Sequence, residues 1–170
     1  RAAELKQKTA DLRKVIRALR VLSEEPLRSG SDLAEQAIRL DPKAQLAYLA
    51  NATYFRLRGQ WLEYDRMMRY ADEGASNPPI RSYLRAMEAF ERYIDPARCE
   101  ELLKETLAKS PGFVRAQANL VLVDETTEAK YDELQRLKAM SPNHLVVRLA
   151  GPMIEEEYRT LQELNAASAQ

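Results

Sequence analysis

The sequence has little of the side-chain chemistry that catalytic and metal-binding sites use. Its 170 residues include one cysteine, one histidine and five glycines. A single cysteine, Cys99, cannot form an internal disulfide, and one cysteine with one histidine cannot complete a zinc site. Five dispersed glycines leave no glycine-rich loop that would hold a phosphate. These absences predict a protein that is not an enzyme and that uses no metal or other cofactor.

The single histidine, His144, follows Ser141, Pro142 and Asn143 at a predicted helix start. A lone histidine has no partners with which to build a catalytic triad. We therefore expect His144 to cap the helix or to lie on the surface.

The chain also lacks an excess of either charge. Lysine plus arginine number 26, and aspartate plus glutamate also number 26, so no overall field attracts nucleic acid. Arg13, Lys14, Arg17 and Arg20 form a basic stripe on the predicted first helix, but no aromatic residues are interleaved there for base stacking. The sequence therefore predicts no nucleic-acid partner.

No apolar run approaches the length of a membrane-spanning helix, which predicts a soluble chain with no integral membrane segment. The first residues lack the apolar core of a secretory signal, and the chain begins with Arg1 rather than methionine. One cysteine fits a reducing compartment. These features favour a cytoplasmic location and leave open a periplasmic one or a membrane anchor on a removed N-terminal segment.

What the chain does have is a regularly spaced series of helix-capping residues, each followed by proline. These dipeptides are Asp41-Pro42, Asn77-Pro78, Ser110-Pro111 and Ser141-Pro142. Their prolines are separated by 78 − 42 = 36, 111 − 78 = 33 and 142 − 111 = 31 residues. Each dipeptide is expected to end one helix and to open the next, with proline in the first turn. A period near 34 residues leaves room for two helices, which predicts an all-α array of stacked helical hairpins.

Hydrophobic periodicity places these hairpins in a single domain over residues 1–170. The predicted units span about 2–40, 43–75, 79–109 and 111–140, and 143–166 form a partial repeat with a capping helix. Strand-like runs at 120–123 and 145–147 fall where the repeat requires helices, and both are predicted to be helical.

Turns and caps inside this plan are also predicted from residue type. The first helix is expected to stop before Pro26, with a loop at Ser29-Gly30-Ser31. Gly59 is expected to turn the second hairpin in a left-handed conformation. Further predicted boundaries are an Asp95-Pro96 helix start, a cap at Thr126 or Thr127, and an interruption at Gly151-Pro152.

The second hairpin resembles the tetratricopeptide repeat (TPR). The residues that carry this resemblance are a large–small–aromatic series, a turn glycine and a second small residue: Tyr48, Ala52, Phe55, Gly59, Trp61 and Ala71. The resemblance implies a right-handed solenoid of about four TPR-like repeats plus a C-terminal capping helix. It also implies that the aromatic residues fill the core and that Cys99 is a buried structural thiol. Asn51 and Tyr64 depart from the pattern, and the third hairpin lacks its turn glycine.

The resemblance further implies a partner-binding concave groove lined by the first helix of each hairpin. The residues it places there are Leu46, Leu49, Thr53, Arg56, Arg81, Leu84, Glu88, Arg115 and Asn119. Apolar positions beside arginine and asparagine suit a peptide whose side chains anchor it and whose polar groups fix its register. Arg115 and Asn119 resemble half of a clamp for a peptide carboxylate. The leading prediction is a non-catalytic scaffold that binds a peptide or helix of a partner protein.

Two alternatives stay open. In the first, the leucines assigned to the predicted groove are ordinary core residues packed between helices, an interpretation that the sequence supports equally well. The apolar residues of the first helix, Leu12, Val15, Leu19 and Leu22, also suit self-association. The partner is therefore either another protein or peptide, or a second copy in a homo-oligomer.

Overall fold

The computed structural model describes residues 25–168, and all regular structure in that range is helical. Nine helices lie within it. Helix α1 covers 25–40 of the described residues. The remaining helices are α2 Gln45–Leu57, α3 Trp61–Asp72, α4 Pro79–Tyr93, α5 Pro96–Lys109, α6 Val114–Val123, α7 Thr127–Met140, α8 Leu145–Leu149 and α9 Gly151–Ser168.

These helices group into two compact units that divide between Ala75 and Ser76. Unit 1 contains α1, α2 and α3, and unit 2 contains α4 to α9. The single domain over residues 1–170 stays a prediction.

In unit 1, α2 and α3 form an antiparallel hairpin. Gly59 turns the chain with a φ of 68°, as predicted for a residue without a side chain. The Gln45 side-chain amide at the start of α2 donates to the Ala71 carbonyl near the end of α3 at 2.7 Å. Ala52 and Ala71 are completely buried, so the two helices approach closely.

The predicted loop at Ser29-Gly30-Ser31 is wrong, because residues 25–40 are helical without interruption. Polar residues and a glycine suggested a loop, but in the structure this segment is part of a helix that packs against α2. Ser31 is buried, and its hydroxyl donates to Asn51 Oδ1 of α2 at 2.8 Å. That bond explains why Asn51 replaces the leucine typical of the TPR pattern. The helix predicted before Pro26 lies outside the described residues.

The core aromatic of unit 1 is not the one predicted. Trp61, Tyr48 and Phe55 are only half-buried, whereas Tyr64 is completely buried and is the largest such side chain of the described residues. Trp61 is the first residue of α3, and its ring meets the Tyr64 ring edge-on at 5.6 Å. Tyr64 lies almost one turn further along the helix and faces the interior.

Three of the four predicted helix-opening prolines instead lie in β-turns. Pro42, Pro111 and Pro142 each occupy the second position of a turn that precedes a helix. The turns are closed by amides that donate to the carbonyl three residues earlier: Ala44 to Asp41 at 2.9 Å, Phe113 to Ser110 at 3.0 Å, and His144 to Ser141 at 3.0 Å. Asp or Ser before proline suits a β-turn as well as a helix start, which is why the sequence pattern misled.

In unit 2, α4 and α5 form a hairpin whose bounds match the prediction closely. Asp95 caps α5, because the Arg98 amide donates to Asp95 Oδ1 at 2.9 Å, and Pro96 lies in the first turn. Ile94 takes the left-handed conformation, with a φ of 54°, where the expected turn glycine is missing. A β-branched residue is rare in that region.

The rest of unit 2 continues by stacking. Helix α5 packs on α6, α6 on α7, and α7 on both α8 and α9. Thr126 caps α7 by accepting a hydrogen bond from the Ala129 amide at 3.2 Å, which confirms one of the two predicted caps. Residues 120–123 and 145–147 are helical, as predicted. The predicted interruption is also confirmed, since a new helix begins at Gly151.

Helix α9 is fixed to α7 along one side. Ile154 is buried with Leu134 and Leu137 in a common apolar cluster. The rings of Tyr131 and Tyr158 stack in parallel, with centroids 3.9 Å apart. Helix α8 also packs on α9, whereas Met153 and Leu164 are largely exposed.

Candidate protein-interaction surfaces

In unit 1, the four residues predicted for the groove have different environments. Leu46 is 66% exposed, whereas Leu49 is 1% exposed and belongs to the core. Thr53 is half-buried, and its hydroxyl donates to the Leu49 carbonyl at 2.9 Å. Arg56 is buried. Leu46 alone of these four therefore offers a large exposed surface to a partner.

In unit 2, the predicted groove residues of α4 are largely buried. Leu84 is completely inside. Glu88 is a buried carboxylate that accepts hydrogen bonds from Arg85 Nη1 at 3.1 Å and from Arg92 Nη1 at 3.2 Å. Arg81 is half-buried, and its Nη1 lies 3.4 Å from the Ser76 carbonyl. The charges of α4 thus stabilise the helix itself.

Asn119, which was predicted to form part of a carboxylate clamp, has two side-chain partners within unit 2. Its side-chain nitrogen donates to the Tyr83 hydroxyl at 3.0 Å and contacts Met87 Sδ at 3.3 Å. These bonds tie α6 to α4 and use both hydrogens of the amide. Arg115, one turn earlier, is exposed. The alternative interpretation, in which the leucines of the predicted groove are core between helices, agrees with the burial of Leu49 and Leu84.

A different surface in unit 1 has the shape of a binding site. All three helices of the unit line a cleft of about 480 Å³, here named the aromatic cleft. Its residues are Glu35, Ile38 and Arg39 of α1, Tyr48, Asn51 and Phe55 of α2, and Arg66, Met67 and Tyr70 of α3. An α-helix turns by about 100° per residue, so Tyr48, Asn51 and Phe55 lie on the side of α2 opposite Leu46 and Thr53.

The floor of the aromatic cleft is preformed. Asn51 and Met67 are buried, and the side-chain oxygen of Asn51, Oδ1, already accepts a hydrogen bond from the Ser31 hydroxyl. The rings of Tyr48 and Tyr70 lie 5.2 Å apart, and the Tyr48 hydroxyl donates to the Pro42 carbonyl at 3.1 Å. An apolar group that enters the cleft therefore meets aromatic rings held in place by existing contacts.

The rim of the aromatic cleft is charged. Arg39 and Glu35 of α1 are both exposed, and Arg39 Nη1 lies 3.8 Å from Glu35 Oε2. Across the cleft, exposed Arg66 pairs with Glu63 at 2.5 Å. Sequence reasoning assigned Tyr48 and Phe55 to the core and missed the cleft. The available signal is on α1, where the charged residues Glu35 and Arg39 flank Ile38 and indicate a side of the helix that is partly open to solvent.

A second surface lies in unit 2 along α9, here named the C-terminal apolar face. It borders a cleft of about 610 Å³ with Thr127 of α7 at one side. The α9 residues that line it are Pro152, Met153, Glu156, Glu157, Thr160, Leu161 and Leu164. This helix was predicted to cap the array.

The two residues with the best potential for catalysis have structural roles. Cys99 is completely buried in the core of unit 2, as predicted, and burial is the main cause that raises its pKa to about 11, followed by the nearby charges of Glu91 and Asp95. His144 caps α8, because its Nδ1 accepts a hydrogen bond from the Val146 amide at 3.2 Å. The predicted capping role of His144 is confirmed.

Within residues 25–168, no group of three or more His, Cys, Asp or Glu side chains is placed to hold a metal ion. In the same range, no helix combines the length and the apolar character needed to cross a membrane.

Comparison with known proteins gives one structural likeness to describe. No protein-family model matches the chain, and no curated protein matches it significantly. The structure is similar to that of YrrB, described as a TPR protein with an unusual peptide-binding site, with 13% sequence identity and a TM-score of 0.49. The match covers 73% of this chain and 65% of the YrrB chain, so it spans less than two thirds of YrrB. At these values the likeness assigns neither a family nor a function.

The described helices form hairpins of the TPR-like kind. Helices α2 and α3 combine the expected pattern of aromatic and small residues with a left-handed turn glycine. Further antiparallel pairs, α4–α5 and α6–α7, follow in unit 2. The predicted all-α helical-hairpin fold is confirmed.

Proposed function

We propose that this protein is a non-catalytic scaffold for protein–protein interaction, and that unit 1 binds a short peptide or helix of a partner protein in the aromatic cleft. The observation that carries the proposal is the set of partly exposed rings of Tyr48, Phe55 and Tyr70 around one preformed cleft. Tyrosine and other aromatic residues are enriched where proteins bind one another, since they bury a large area with little loss of conformational freedom.

The chemistry of the aromatic cleft defines the ligand it would accept. A volume of about 480 Å³ suits one large apolar side chain with its neighbouring backbone. Arg39 and Arg66 each pair with a glutamate of the same helix, but an exposed guanidinium has further donors, so an acidic residue beside the anchor would share an ion pair with one of them. The proposed ligand is therefore a peptide with an aromatic, leucine or methionine anchor flanked by aspartate or glutamate.

The proposal is tested by selecting peptides from a displayed random library against the whole chain and measuring their affinities by fluorescence anisotropy. Selected peptides should share an apolar anchor with an adjacent acid. Tyr70→Ala should weaken their binding at least tenfold, and Arg66→Glu should weaken peptides with an acidic flank more than peptides without one. Leu62→Ala is the matched control, because Leu62 is an exposed residue of the same helix outside the cleft.

Equal affinities for the unaltered protein and for Tyr70→Ala would contradict binding in the aromatic cleft. The predicted concave groove stays a separate prediction, with Leu46 and Arg115 as its most exposed members. Peptides that lose affinity with Leu46→Glu or Arg115→Glu, and keep it with Tyr70→Ala, would place the partner on that groove instead.

A further inference from the structure

We propose that the chain also assembles head to tail, with the basic apolar segment 12–22 of one copy docked on the C-terminal apolar face of the next. This inference concerns unit 2 and the N-terminal sequence. It is independent of peptide binding in the aromatic cleft of unit 1.

The first observation is the exposure of α9. Met153 is 65% exposed and Leu164 is 61% exposed, although both line the same cleft of about 610 Å³. Helix α9 packs on α7 through Ile154 and Tyr158, which lie on another side. At about 100° per residue, Met153, Thr160 and Leu164 fall within one narrow stripe. The helix thus has one apolar side that is packed and a second that no described residue covers.

The second observation is the charge that borders this stripe. Glu157 lies one turn from Met153, and Glu156 and Glu163 lie along one edge of the stripe. Glu156 pairs with Arg159 at 2.6 Å. Glu157 and Glu163 have no ion pair with any of the residues that the structure describes. An apolar stripe with acidic neighbours favours a partner helix that carries basic residues beside its own apolar stripe.

The sequence itself contains such a segment. Residues 12–22 read LRKVIRALRVL and contain four basic residues and no acidic ones. Leu12, Val15, Leu19 and Leu22 recur at helical spacing, and Arg13, Arg17 and Arg20 recur beside them. Met153, Thr160 and Leu164 are separated by seven and four residues, so both segments return to one side of a helix after one or two turns.

Many basic residues of α5 and α7 are engaged with acids nearby. Along α5 and α7 the ion pairs are Arg98 with Glu101, Lys104 with Glu100, Lys109 with Glu105, and Arg136 with Glu133. The run at 12–22 contains four basic residues and no acidic residue to pair with them, so its charge complements the acidic border of α9. In a solution of this chain, segment 12–22 and the C-terminal apolar face are present at equal concentrations, because every copy carries both.

Head-to-tail docking has a consequence that symmetric dimerisation lacks. Each copy keeps one free segment and one free face, so growth continues beyond the dimer. In a stacked-repeat protein, such a contact extends the array from one chain into the next.

The experiment is sedimentation equilibrium of the 170-residue chain over a hundredfold concentration range at low and at physiological salt. Apparent mass should rise past that of a dimer, and the rise should shrink in higher salt. Leu164→Glu alters the face, and the double variant Arg17→Glu, Arg20→Glu alters the segment. Each should weaken self-association at least tenfold. Ala166→Glu, an exposed position on another side of α9, is the matched control and should change association little.

Mixing the two variants provides the decisive measurement. The face variant keeps its segment and the segment variant keeps its face, so the mixture should form a 1:1 heterodimer and nothing larger. If Leu164→Glu loses helicity by circular dichroism, the double variant Glu157→Lys, Glu163→Lys replaces it. A chain that stays monomeric throughout, association that survives both variants, or a mixture that forms no heterodimer would each overturn the proposal.

Discussion

The hairpins α2–α3 and α4–α5 share one architecture but fill their interiors differently. The completely buried residues of α2–α3 include an aromatic ring, whereas those of α4–α5 do not. The first set contains Leu49, Asn51, Ala52, Tyr64, Met68 and Ala71, and the second contains Leu84, Ala86, Cys99, Leu103 and Thr106. The outer side of α5 carries successive ion pairs, such as Lys104 with Glu100. Hairpin α2–α3 instead presents half-exposed aromatic rings to the aromatic cleft.

This difference separates what determines the fold from what provides a binding surface. Both interiors satisfy a helical hairpin, one around the completely buried ring of Tyr64 and the other around medium-sized side chains beside the slightly more exposed ring of Tyr83. A ring that the core does not need remains at the surface, where it can contact a partner. The aromatic cleft therefore arises because Tyr64 fills the interior and leaves Tyr48, Phe55 and Tyr70 partly uncovered.

The largest expected effect tests which aromatic residue fills the interior of α2–α3. Tyr64→Ala removes a completely buried ring and should lower the free energy of unfolding by about 3–5 kcal/mol. Trp61→Ala removes a half-buried ring and should cost roughly 1–2 kcal/mol. Urea unfolding followed by far-ultraviolet circular dichroism measures both without relying on tryptophan fluorescence. If Trp61→Ala lowered the free energy of unfolding as much as Tyr64→Ala or more, Trp61 would be a core residue after all.

The buried polar pair of unit 1 comes next. Asn51→Leu restores the residue typical of the TPR pattern, but it removes the acceptor of the buried Ser31 hydroxyl. We expect a loss of about 1–3 kcal/mol in unfolding free energy, the cost of a buried hydroxyl without its bond.

The double variant Ser31→Ala, Asn51→Leu provides the control, since it removes both polar groups. It should recover much of the loss that Asn51→Leu causes alone. If the single and double variants unfold at the same urea concentration, the Ser31–Asn51 bond contributes nothing and another feature of this contact sets its stability.

These residues also show how much of the molecule was predictable from the sequence. Apolar periodicity and caps predicted the helices of hairpin α4–α5 almost to the residue and those of α2–α3 to within three residues, because both signals are local. The hydrogen bond of Ser31 joins it to Asn51, which is 20 residues away in the chain, so local sequence patterns do not reveal it. From those patterns alone, the segment around Ser31 was predicted to be a loop, although it is helical. Asp-Pro and Ser-Pro were ambiguous because they suit both helix starts and β-turns.

The candidate sites were less predictable for the same physical reason. Periodicity shows which residues share a side of a helix, but exposure depends on which neighbouring helix covers that side. Leu49 and Leu46 were both placed in the predicted groove, and only Leu46 is exposed. The aromatic residues of the cleft matched a packing pattern, and their exposure depends on how far α1 extends over them.

Cys99 distinguishes the interior of α4–α5 by its response to pH. Burial, with a smaller contribution from the charges of Glu91 and Asp95, raises the pKa of its thiol from 9.0 to about 11. Between these values the unfolded thiol loses its proton while the folded one keeps it, so the unfolded state binds fewer protons. Stability should therefore fall as the pH rises from about 9 to 11, by roughly 1–2 kcal/mol between pH 8 and pH 10.5.

Cys99→Ala isolates this effect from the titration of lysine and tyrosine residues. The variant should show a smaller decline in unfolding free energy over the same pH range, even though its stability at pH 8 is changed by the lost packing. Parallel declines for the variant and the unaltered protein would show that the Cys99 thiol is not protected by the fold. A thiol reagent offers a second readout, because it should modify Cys99 only as fast as the protein opens.

The smallest expected effect concerns the turns of the two hairpins. Gly59 and Ile94 both have positive φ values, 68° and 54°, but only glycine adopts this conformation without strain. The left-handed region costs a residue with a side chain about 1–2 kcal/mol, and the extra chain entropy of glycine offsets about 0.5–1 kcal/mol of any gain. Ile94 is 83% exposed, so little packing is lost with its side chain. Ile94→Gly should therefore stabilise the protein by about 0.5–1 kcal/mol.

The reverse change at Gly59 makes the comparison complete. A Cβ at Gly59 would meet no atom within 4 Å, so Gly59→Ala introduces backbone strain without a collision. It should destabilise by about 1 kcal/mol. Shifts of opposite sign in the urea midpoint would show that the two turns share a backbone requirement which the sequence meets in the second hairpin and violates in the third. A loss of stability in Ile94→Gly would mean that the isoleucine side chain stabilises its turn by more than the left-handed conformation costs.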